Sequence, residues 1–170
     1  MRTERIYWRE PEQLSLLTAV LAVNGERIAL RETICFPGGG GQPQDTAWLQ
    51  WAGGGNAEIA GAEIEGELIW YRLAGDSKLE SGQAVEMRVE RERRGLLSGH
   101  HTALHVVNTL AQQRYGAWIT GAQIGVEHSR IDFKIEGFSP AVAKELETEV
   151  NRVLAEDHSV EAFLLPQGEF

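Results

Sequence analysis

The side chains best equipped for chemistry in this chain are two histidines four positions apart, in Ser98-Gly99-His100-His101-Thr102-Ala103-Leu104-His105. On a helix, that spacing sets the imidazoles of His101 and His105 on one face, one turn apart. A pair so placed can meet one metal ion, zinc above all. The same pair also suits half-buried packing without a ligand, and the spacing alone leaves both readings open. Cys35 is the single cysteine, which excludes a disulfide framework and a multi-cysteine zinc site within the chain. Any metal here rests on histidine, carboxylate or water.

A second stretch with chemical potential is Thr33-Ile34-Cys35-Phe36-Pro37-Gly38-Gly39-Gly40-Gly41-Gln42-Pro43-Gln44-Asp45. Four successive glycines between two prolines exclude a helix or a central strand. Such a run lets backbone come close to a ligand and aim N–H groups at it. It lacks the lysine and the following helix of a phosphate-binding loop. Phe36 and Trp48 bracket it with apolar anchors, so a plain linker fits poorly.

The elements that must position these groups follow from pattern. Leu14 to Val23 and Glu26 to Leu30 read as strands joined by a turn at Asn24-Gly25. Trp48 to Trp51, Glu58 to Ala60, Ala62 to Ile64, Leu68 to Tyr71 and Val85 to Val89 read as further short strands with Gly-rich turns. Residues 1–90 are therefore expected to form an all-β, barrel-like unit carrying the Gly-rich loop. From residue 91 the character changes. Ser98 is expected to cap a helix running to about Tyr115, with Leu104, Val107, Leu110 and Ala111 as its apolar stripe and the two histidines at its edge. Strands at Ile119 to Val126 and Arg130 to Ile135 follow. Ser139-Pro140 then opens a second helix with Val142, Leu146, Val150, Val153 and Leu154 buried, and Val160 to Leu165 reads as a last strand. The expected fold class is α+β: a small N-terminal barrel-like unit, then helix, hairpin, helix and strand over residues 91–170.

Composition narrows the function. A 42% hydrophobic and 24% charged chain of 170 residues is ordinary for a globular protein. No apolar run reaches the length of a membrane helix, and Met1-Arg2-Thr3-Glu4-Arg5 opens no signal-peptide core, so a cytoplasmic protein with no membrane partner is expected. The net charge of -9 argues against an extended nucleic-acid footprint. Residues 88–134 run the other way, with 7 basic against 4 acidic side chains, led by Arg88, Arg91, Arg93 and Arg94. Glu90 and Glu92 interleave with them, so polyanion contact and a self-paired surface both remain open.

Taken together, Thr33-x-x-Phe36-Pro37-x-Gly39-Gly40-Gly41-Gln42-Pro43-x-Asp45, Arg94 and His101-Thr102-Ala103-Leu104-His105 resemble the AlaX family, freestanding relatives of the editing domain of alanyl-tRNA synthetase. The resemblance covers nearly the whole chain. It implies a zinc-dependent hydrolase that cleaves the ester joining serine or glycine to alanine-specific tRNA. It makes His101 and His105 metal ligands, puts Gln42 near the scissile ester and links Thr33 to serine recognition. It assigns Gly39, Gly40, Gly41, Asp45 and Arg94 to the substrate, the glycines lying close to the terminal adenosine. The family completes its zinc site with a later Cys-x-x-x-His, and this sequence has none: Gly39 stands four residues after Cys35. The expectation is that the chain stops before that half-site or has lost it, and its end just after a strand fits the former. Loss would make it a catalytically impaired binding relative, for tRNA or another partner. An unrelated metal-dependent hydrolase of small esters or amides is a third reading, and the oligomeric state is left open.

Overall fold

Alternation of inward apolar and outward polar residues organises the first half of the chain. The computed structural model describes residues 1–75 and 77–161. Two compact units emerge, one built from Met1–Gly39 and Gln44–Arg94, the other from Gly40–Pro43 and Gly95–Glu161.

In the first unit, β1 (Glu4–Arg5) precedes a single 3-10 turn, and β2 (Ser15–Asn24) and β3 (Arg27–Leu30) form a hairpin. β4 (Glu32–Thr33) runs parallel to β1. Next come β5 (Ala47–Trp51), β6 (Gly55–Glu65), β7 (Leu68–Leu73) and β8 (Ala84–Val89). Six of these strands close into a barrel in the order β2-β3-β7-β6-β5-β8. Closure removes the exposed edges that an open sheet of this size would carry. Val20, Leu30, Ile34, Leu49, Ile69, Tyr71, Val85 and Met87 fill the interior, each at most 1% exposed.

Two strand readings need correction. Asn24 pairs with Arg27, so the hairpin loop is Gly25-Glu26, with Gly25 at φ +61°. The strands read at Glu58 to Ala60 and Ala62 to Ile64 are one, β6. A register shift between Ile59 and Gly61 breaks its alternation, which made it read as two.

Helix α1 spans Arg91–Tyr115, starting seven residues before the expected cap at Ser98. Glu90 is the reason. Its carboxylate accepts hydrogen bonds from the Glu92 and Arg93 N–H groups at 2.8 and 2.7 Å, satisfying donors that a helix start leaves free. In the second unit, α1 continues from Gly95, and β9 (Trp118–Gln123) and β10 (Arg130–Lys134) form an antiparallel hairpin. α2 (Pro140–Ala155) follows, with Ser139 accepting from the Val142 N–H as expected. Val150 is buried, but Leu154, expected beside it, is 44% exposed. The strand expected at Val160 to Leu165 has not begun by Glu161, and its remainder lies outside the described residues. No described helix is long and apolar enough to cross a membrane.

Candidate functional site

Helical periodicity delivers the two histidines as the sequence requires. Their rings lie nearly parallel, 12° apart, with centroids 4.9 Å from each other. His105 is exposed and His101 half-buried. Burial, and secondarily the neighbouring His105, holds the His101 imidazole below its ordinary pKa, which keeps it neutral further into acid. Its Nδ1 donates to Gln42 Oε1 at 2.7 Å. A carbonyl oxygen only accepts, so Nδ1 carries the proton and Nε2 keeps a lone pair.

Gln42 reaches the ring because the glycine run bends where other residues would not. Gly38, Gly39, Gly40 and Gly41 have φ of +93°, +130°, +61° and +85°, all in the region that L side chains avoid. Gly41 also needs its missing Cβ, which would lie 2.5 Å from the Ala122 carbonyl oxygen. Its own carbonyl accepts from the Ile124 N–H at 2.8 Å, stitching the loop to the end of β9. A cleft of about 120 Å³ opens beside the histidines, lined by Gly40, Leu104, Asn108, Ile119, Ala122, Ile124 and Ile131. Two imidazoles, one amide and an otherwise apolar wall can hold a small polar group.

No family model matches the chain. An alanyl-tRNA editing protein AlaX-M of Methanosarcina mazei is 34% identical over 158 residues, 89% of this chain and 63% of that protein. A second, from Saccharolobus solfataricus, is 29% identical over 98% of this chain and 70% of its own length. Along most of its length the chain is thus similar to the AlaX family. Whole ligases resemble it too: the alanine–tRNA ligase of Korarchaeum cryptofilum is 34% identical over 89% of this chain, which is 17% of the ligase. The chain spans less than two thirds of the Methanosarcina AlaX-M.

The AlaX motifs fall in two places. Gly40, Gly41, Gln42, His101 and His105 come together in the second unit. Thr33, Asp45 and Arg94 belong to the first, together with Gly39. Thr33 is wholly buried, its hydroxyl 2.6 Å from the Tyr71 hydroxyl and accepting from the Cys35 N–H at 3.1 Å. Asp45 and Arg94, expected at the substrate, are 2% and 7% exposed and bound to each other. Arg94 also donates to the carbonyls of Pro11 and Ile34, and Asp45 accepts from the Phe36 N–H. Their polar atoms are spent on protein, so these three hold the barrel unit together around the base of the glycine loop. Burial is invisible in a motif, which is why sequence grouped them with the substrate.

Asn108 was missed. The signal was available: it lies three residues after His105 and seven after His101, on the same helical stripe. Zinc suits the donors in part. Two imidazoles one turn apart, one with its Nε2 left bare by Gln42, are what half of a tetrahedral site needs. Among the described residues, no group of three or more His, Cys, Asp or Glu side chains completes it.

Proposed function

We propose that this chain hydrolyses the ester joining serine or glycine to alanine-specific tRNA, using zinc held by His101 and His105. The observation that carries the reading is the Gln42–His101 hydrogen bond beside a stacked His105, which joins the glycine loop and the histidine motif in one cleft. What the AlaX-M relatives are named for agrees with it. The aminoacyl ester is already activated, so the protein's task is positioning and selection. Water adds to the ester carbon, the bond to the ribose oxygen breaks, and the tRNA departs with its hydroxyl restored. Zinc bound there would hold that water or orient the substrate's amino group. The glycine backbone at Gly40 offers close approach for the terminal adenosine. With Oε1 taken by His101, Gln42 has its NH₂ group left to offer the substrate. The cleft has room for a serine or glycine side chain beside the histidines. Thr33 being sealed, Asn108 is the uncharged polar side chain that lines this cleft and can read a hydroxyl.

The test is release of amino acid from alanine-specific tRNA charged with serine, glycine or alanine, with zinc present. Release from the first two and sparing of alanyl-tRNA is expected. Equal rates on all three, or none on any, would overturn the reading. A second reading, a relative that binds tRNA without hydrolysing it, draws on the incomplete ligand set among the described residues. Retention of tRNA without release would establish it.

A further inference from the structure

We propose that Gln42 is a positioning residue that fixes the His101 ring in the Nδ1–H tautomer, and that the glycine loop exists to deliver it there. The inference deepens the proposed site and rests on His101 being a metal ligand. The geometry is direct. Gln42 Oε1 stands 2.7 Å from His101 Nδ1, and the Gln42 side chain is only 9% exposed. An oxygen that can only accept forces the proton onto Nδ1 and leaves the lone pair on Nε2. Metal-binding imidazoles are commonly oriented in this way by an acceptor on their far nitrogen, and losing that acceptor weakens the metal.

The delivery is as specific as the contact. Gly41 sits where any Cβ would strike the Ala122 carbonyl, and its own carbonyl takes the Ile124 N–H. That seam anchors the residue immediately before Gln42 to the hairpin, so the amide arrives from a fixed backbone rather than from a free loop. The neighbouring His100 is handled alike, its Nδ1 donating to the Gly125 carbonyl at 2.6 Å. Two successive imidazoles are thus each pinned through Nδ1.

Nitrogen-15 histidine spectra of the metal-free protein, at about pH 8 where imidazole is neutral, read the tautomer directly. Zinc titration against a competing chelator reads the consequence. Parent protein should show His101 as Nδ1–H. Gln42→Ala should move His101 toward Nε2–H and weaken zinc about 10- to 100-fold. Gln42→Glu, which keeps an acceptor, should preserve both the tautomer and the affinity. His100 should be unchanged in every variant and serves as the internal control for folding. A parent His101 protonated on Nε2, or a Gln42→Ala protein in which either tautomer or zinc affinity stays as in the parent, would overturn the proposal. Neither readout involves hydrolysis, so failure here is distinguishable from failure of the hydrolase reading.

Discussion

Arg94 grips Asp45 through two parallel hydrogen bonds, Nε to Oδ1 at 3.0 Å and Nη2 to Oδ2 at 2.5 Å. The side chains are 8% and 1% exposed, so the pair is an interior one. Around it the Pro11 and Ile34 carbonyls and the Phe36 N–H converge, which fastens the segment before the glycine run to the start of α1. Removing one partner strands the other's charge in the interior. Asp45→Asn should cost about 3–5 kcal/mol of stability, read as a shift of the urea midpoint. A loss under about 1 kcal/mol, the scale of a surface pair, would mean that the interior admits water.

Thr33 makes a contrasting case. Its hydroxyl is committed to Tyr71 inside the barrel and has no exposed surface. Thr33→Val should lower stability by about 1–3 kcal/mol, the cost of leaving a buried polar partner unsatisfied. The ratio of seryl- to glycyl-tRNA hydrolysis should not change. A changed ratio in a protein that melts normally would restore Thr33 to the substrate.

Cys35 reports on pH. It is fully buried, and burial, reinforced by the charge of Asp45 and opposed by Arg94, pushes its thiol far above the ordinary range. The folded state therefore keeps the proton while the unfolded chain loses it near about pH 8.5. The thiol's contribution is fully present below that pH and is lost as pH rises above it, with a slope approaching about 1.4 kcal/mol per unit. Urea unfolding between about pH 9 and 10, below the ordinary tyrosine range, should show parent stability falling more steeply than that of Cys35→Ala. Parallel slopes would mean that the thiol titrates normally in the folded protein.

How legible was this in the sequence? The barrel strands were, because β5 and β8 alternate apolar and polar residues while β3 and β7 are short apolar runs bounded by turn residues, and β6 misled only where a bulge broke its period. The helix start was not. Ser98 looks like a cap, though Gly99 after it makes a weak start, whereas the capping is done by Glu90, a residue whose role depends on its carboxylate folding back. The histidine pair was legible from spacing, since helix geometry fixes it. The bond from Gln42 to His101 was not, because 59 residues separate them and only the tertiary path of the glycine loop joins them. Nor could a motif separate residues that face the cleft from Thr33, Asp45 and Arg94, which are consumed inside the fold.

Asn108 gives the sharpest test of how the cleft selects its substrate. Helix α1 places it on the stripe of His101 and His105, and the walls contributed by Leu104, Ile119, Ala122, Ile124 and Ile131 carry no polar side-chain group. A serine hydroxyl entering that space leaves water and must find a partner, whereas the hydrogen of glycine needs none. Asn108→Leu should therefore slow seryl-tRNA hydrolysis by about 10- to 100-fold, the scale of a hydroxyl left without its partner at about 1–3 kcal/mol. Glycyl-tRNA hydrolysis should stay within about threefold of the parent, given that the helix and both histidines remain. Zinc affinity, measured alongside, separates a lost hydroxyl contact from a disturbed metal pair. If both substrates slow equally while zinc binding holds, Asn108 shapes the cleft and does not read the hydroxyl.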